Sequence, residues 1–116
     1  MGWRPGGLYL ALGIAQAGHS AEEYLARLYE WFPVVTGYLH RATGVFPVVR
    51  MSGNVFVALN VALVGFLLGV FPFVSRRRRW AMGVAGAAAV VEVLNGLVHL
   101  WAAVLVRGYF PGSATA

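Results

Sequence analysis

The chain has 116 residues, 59% of them hydrophobic and only 11% charged, against roughly 25% charged in an average soluble protein. A soluble domain this short cannot hide so much apolar surface, which excludes an ordinary water-soluble fold and places the chain in a bilayer. The formal charge of +5 comes entirely from arginine, with no lysine and no aspartate, and the absence of cysteine excludes disulfides, thiolate metal sites and cysteine nucleophiles.

The first span is predicted from about Leu8 to Phe32. Its first half is apolar. Its second half carries His19, Glu22, Glu23, Arg27 and Glu30, with polar positions at helical spacing, and Pro33 ends it. Arg4, the apolar Leu8–Ala15 and then Ala15-Gln16-Ala17 also resemble a signal peptide with its cleavage site, although the apolar stripe continues past that point. Residues 34 to 52, punctuated by Gly37, Gly44 and Pro47, read as an interfacial connection with at most a short helical turn, and His40 belongs to it as an interfacial residue.

The second span is predicted over about 54–74. It holds one polar interior residue, Asn60, and a small-xxx-small pair, Gly65 and Gly69, that favours close approach of another helix or of a second copy. Arg76–Arg79 forms a tight turn. The third span runs over about 81–106, small and apolar at first, then with Glu92, Asn95 and His99. The expected architecture is therefore an all-α bundle of three transmembrane helices in one domain. Trp3, Trp31 and Trp80 read as interface anchors.

Because Arg76–Arg79 sits between two apolar spans, it is read as a topology signal, with anionic lipid headgroups as its contact, rather than as a nucleic-acid surface. The N-terminus and the arginine turn are then cytoplasmic, and the 33–53 loop and the C-terminus lie outside.

Charged groups in the middle of a span cost roughly 2.5 to 3.5 kcal/mol each on insertion scales, and this chain accepts that cost repeatedly. His19, Glu22 and Glu23 project from one face of the first span, and Glu92, Asn95 and His99 from one face of the third. His19 and Glu92 each fall about eleven residues past the start of their spans, which puts both near the midplane at about 1.5 Å per residue. Glu22 and Glu23 are then expected level with Asn95, with His99 one turn further out and Asn60 at a comparable depth.

Imidazole and carboxylate ligate zinc, iron and manganese, and a divalent ion would neutralise buried glutamates. The candidate metal ligands are His19, Glu22, Glu23, Glu92 and His99. One of Glu22, Glu23 and Glu92 could instead serve as general base, with Asn60 and Asn95 completing the polar site. The order His-x-x-Glu-Glu is neither the Glu-x-x-His of di-iron bundles nor the His-Glu-x-x-His of zinc proteases. Two other readings stay open: a proton or ion path using the glutamates as relays, and a structural network in a non-catalytic assembly protein.

His19-Ser20-Ala21-Glu22-Glu23, followed by Asn95, His99 and the closing Arg107-Gly108-Tyr109-Phe110-Pro111-Gly112, resembles the HXXEE family of small bacterial membrane proteins over most of the chain. The resemblance implies a polytopic protein of the bacterial inner membrane with these polar residues as its signature, and no established reaction. Such proteins usually continue with further apolar sequence after the Pro-Gly. The chain is accordingly expected either to be a truncated four- or five-helix fold or to complete its bundle as a homo-oligomer.

Overall fold

The computed structural model describes residues 4–116, so Trp3 lies outside the described residues. It is all-helical: α1 (Pro5–Leu25), a single 3-10 turn (Leu28–Glu30), α2 (Phe32–Thr43), α3 (Gly53–Ser75) and α4 (Arg79–Leu105). Among the described residues, α3 and α4 are long and apolar enough to cross a membrane, at 23 and 27 residues. Both exceed the roughly 20 residues a hydrocarbon core requires. The second half of α1 is too polar to join them by composition.

The first helix ends earlier than its pattern suggests. α1 stops at Leu25, and the chain turns through Arg27 in the left-handed region at φ 57°. Pro33 does not terminate a helix; it stands in the first turn of α2. Proline is tolerated there because its missing N–H would be unpaired in any case. The polar positions 22, 23, 27 and 30 are therefore divided between α1 and the 3-10 turn, capped by Arg27, that follows it. Most of the expected 34–52 connection is α2 instead, and Gly44, at φ 72°, closes it. Val34, Val35 and Tyr38 on α2 remain exposed.

Three helix ends share one device. Arg27, Arg77 and Arg107 have φ of 57°, 52° and 53° and follow α1, α3 and α4. Behind α3 and α4 the next amide reaches back five residues, Arg78 to the Phe73 carbonyl and Gly108 to that of Ala103, both at 3.0 Å. These are Schellman closures, which glycine normally provides. A side chain in that region costs roughly 1 kcal/mol or more. Arg27→Gly is expected to stabilise the fold by about 1 kcal/mol, read as a higher melting temperature in detergent. The lost Arg27–Glu30 pair, exposed on both sides, subtracts little.

α1 and α4 run the same way, with α3 antiparallel between them in sequence. At the arginine end the core is Tyr9, Leu67, Val70, Val74 and Ala81. A Cβ on Gly6 would stand 3.2 Å from the Ser75 backbone, so glycine permits α1 to start against the end of α3. At the other end Leu28, Phe56 and Phe110 form a second core. Phe110, Pro111 and Gly112 are buried there, because the C-terminal segment folds back over the bundle. A Cβ on Gly65 or Gly69 would meet nothing within 4 Å, so the expected close helix contact is not made inside this chain.

Candidate metal centre

α1 and α4 face each other through three polar rungs. The Gln16 amide meets the Glu92 carboxylate. The Asn95 Nδ2 lies 3.1 Å from His19 Nε2. His99 Nε2 lies 2.9 Å from Glu23 Oε1. Each rung joins residues 76 apart in the chain. The two stripes, 16/19/23 and 92/95/99, have identical i, i+3, i+7 spacing and match because the helices are parallel.

This register corrects the sequence expectation by one helical turn. His19 stands level with Asn95 rather than Glu92, and Glu23 stands level with His99. Counting from helix starts cannot supply this register, because His19 and Glu92 lie 14 and 13 residues past Pro5 and Arg79; the one-turn offset is set by how the two helices pack along each other. His19 and Glu23 consequently occupy the final turns of α1, toward the end of the bundle opposite the arginines.

His19, Glu23 and His99 are buried, with 4%, 6% and 4% of their surface exposed. One potential ligand atom from each lies within 4.8 Å of the others. Glu23 Oε1 is 3.2 Å from His19 Nε2 and 2.9 Å from His99 Nε2. The two imidazoles meet edge to face, centroids 4.8 Å apart at 88°.

Hydrogen-bond polarity assigns the tautomers. The Pro111 carbonyl, 2.6 Å from His99 Nδ1, can only accept, so His99 carries its proton on Nδ1. The Thr115 hydroxyl gives its single proton to Glu22 Oε2. It therefore accepts from His19 Nδ1 at 2.8 Å. The Asn95 amide nitrogen can only donate, which leaves a lone pair on His19 Nε2. In this structure Asn95 thus takes up the His19 lone pair, whereas the His99 Nε2 lone pair faces the Glu23 oxygen at 2.9 Å with no hydrogen between them. Such a pair needs a shared cation, either an added proton or a metal ion.

The other expected site residues are placed as follows. Glu22 and Glu23 are adjacent and diverge by about 100° around the helix axis. Glu22 is half-buried and turns to the C-terminal segment. It accepts from the Tyr109 hydroxyl at 2.7 Å and from the Ala114 and Thr115 amides at 3.1 and 2.9 Å. Its hydrogen bond with Tyr109 raises that phenol above its ordinary pKa. Glu92 lies one rung below His19, beside Gln16, outside the three-residue group. Asn60 is 2.7 Å from the Ser20 hydroxyl, joining α3 to α1. His40 is exposed and bonds the Phe46 carbonyl on its own loop.

Sequence reasoning missed Gln16, Ser20 and the folded-back segment Tyr109–Thr115. Gln16 was detectable from the repeated spacing in α1 and α4. No periodicity or motif shows that Pro111 and Thr115 return to the two histidines.

These features define a helical protein with two helices of membrane-crossing length and a buried His/Glu/His group that could hold a metal. The chain belongs to the family described as "Protein of unknown function with HXXEE motif", whose model matches residues 10–116. No curated protein and no solved structure matches it.

Proposed function

We propose that this chain is an integral membrane metalloprotein in which His19, Glu23 and His99 bind one divalent ion of zinc, iron or manganese. The observation that carries the reading is the convergence of two imidazole Nε2 atoms on one carboxylate, each ring tied off behind by an oxygen at Nδ1, with His19 exchanging its Asn95 hydrogen bond for the ion. Metal-ligating histidines characteristically give their far N–H to a carbonyl or other oxygen in this way. With metal–ligand bonds of about 2.0 to 2.2 Å, neighbouring ligand atoms stand about 2.8 Å apart at right angles and up to about 3.6 Å apart at tetrahedral angles. The two Glu23 contacts already have that spacing.

Two histidines and one carboxylate suit zinc or non-haem iron and leave positions open for a small molecule. Glu92 is the remaining acid nearby and the proposed proton carrier. Glu22, from the same motif, is assigned to holding the C-terminal segment over His19. The chain sits in a bacterial inner membrane, with Arg76–Arg79 cytoplasmic against anionic headgroups and the centre toward the outer face. The open Gly65/Gly69 face is left for lipid or a second copy.

A proton path has less support. Between the Gln16–Glu92 rung and the arginine turn the described residues contain no acid and no histidine. That stretch is filled by Tyr9, Leu67, Val70 and Val74.

Elemental analysis of protein purified in mild detergent after supplementation with each metal tests the reading. The wild type is expected to hold a stoichiometric ion, and His99→Ala and His19→Ala to lose it. Wild-type protein with no ion above background in any supplement would end the proposal.

A further inference from the structure

α3 and α4 meet beside the arginine turn through Val74 and Ala81. Further along they leave a cleft of about 490 Å³. Leu59 and Leu63 of α3 and Val91 and Val98 of α4 line its walls, and all four are exposed. Glu23, Asn60, Glu92, Asn95 and His99 supply its polar floor. The aromatic rings of Trp31, Phe32, Phe56 and Phe110 line it as well. Cavities of about 300 to 1,000 Å³ with apolar walls and a few convergent polar groups are typical small-molecule sites. With α3 and α4 crossing the bilayer as proposed above, this one would open sideways to the hydrocarbon.

The polar floor selects the head group. No arginine lines the cleft, and two carboxylates do. With the two charges of a divalent ion already balanced by Glu23 and Glu92, a carboxylate or phosphate head would bring an uncompensated negative charge into an apolar cleft with no side-chain cation to meet it. Asn95 keeps Oδ1 free of hydrogen bonds among the described residues, so it can accept a proton donor. An ammonium head would suit the acids but has no lone pair for a metal. A hydroxyl satisfies both demands: its oxygen can take an open metal position while its O–H donates to Asn95.

We infer that the cleft between α3 and α4 admits an uncharged lipophilic alcohol from the bilayer and brings its hydroxyl to the His19–Glu23–His99 group. The inference rests on the metal reading for the role of that group and on the cleft for the route.

The test uses the full chain in lipid nanodiscs and three photoreactive probes with the same long diazirine-bearing chain: an alcohol, a carboxylic acid and an amine. The alcohol is expected to label residues around Leu63 and Val91 several-fold more than the other two, and unlabelled alcohol should compete. Leu63→Trp, which fills the mouth, should remove the labelling. Leu105→Trp, exposed and outside the cleft, should not, and both should keep the wild-type metal content. Val91→Phe gives a second obstruction should the tryptophan disturb folding. Equal or stronger labelling by the acid or amine overturns the inference, as does alcohol labelling that neither obstruction reduces. A wild-type dimer that Leu63→Trp converts to monomer, without alcohol labelling, assigns the cleft to a second copy and also overturns it. Alcohol labelling of metal-free protein at the cleft supports the route while removing the metal reading. Metal-loaded protein without labelling does the reverse.

Discussion

Glu23→Gln is expected to abolish metal binding while leaving the helices folded. The carboxamide has nearly the shape of the carboxylate it replaces, and its N–H can donate to the His99 Nε2 lone pair, 2.9 Å from the present oxygen, while His19 Nε2 keeps its hydrogen bond from Asn95. The substitution thus satisfies both imidazoles without a cation. Loss of a charged ligand should weaken metal affinity by at least ~100-fold, since even supporting residues around metal ligands are worth about 10- to 100-fold. Thermal unfolding of the metal-free variant should match or exceed that of metal-free wild type.

The purely structural alternative makes the opposite forecast. If a protonated His99 pairs with Glu23 as a buried ion pair, removing one charge leaves the other stranded, at a cost of about 3 to 5 kcal/mol. A Glu23→Gln protein that is well folded and metal-free favours the centre. One that unfolds, beside a wild type that never held metal, favours the assembly role.

Gly112→Ala should have the largest effect outside the ligands. A Cβ at this position would lie 2.6 Å from His99 Cε1 and Nδ1 and 3.0 Å from the His19 ring. Gly112 also has φ 89°, a conformation that alanine adopts only with strain. Backbone strain and overpacking together should cost roughly 2 to 4 kcal/mol. The cheapest relief is for the C-terminal segment to lift, which breaks the Pro111–His99 hydrogen bond and the Thr115 contacts to His19 and Glu22. Faster proteolysis after Arg107 and weaker metal binding should therefore appear together. Gly108→Ala is the control, because its nearest neighbour would be 4.0 Å away. A Gly112→Ala protein that keeps its metal and its protease resistance would show that the segment does not brace the centre.

Much of this molecule is legible in its residues. The excess of apolar side chains predicts helices of membrane-crossing length, and α3 and α4 have that length and character. The arginine turn between them, the helical class and the membership of the family all follow from local pattern. So does the expectation that His19, Glu23 and His99 gather with other polar groups, because buried polar side chains in an apolar setting are costly.

Pattern could not say where α1 stops, since a polar stripe has the same spacing whether one helix or two carry it. It could not separate Glu22 from Glu23, because neighbours in sequence diverge around a helix and only the packing partners decide which faces inward. The one-turn register between α1 and α4 and the return of Pro111 and Thr115 to the imidazoles depend on contacts between residues 76 and 96 positions apart. Such contacts form only when whole helices settle against one another, and no local spacing encodes them. Composition and periodicity therefore determined that this chain buries acids and imidazoles in apolar helices. Tertiary packing decided which three of them share a centre, and which backbone and hydroxyl oxygens hold the rings in place.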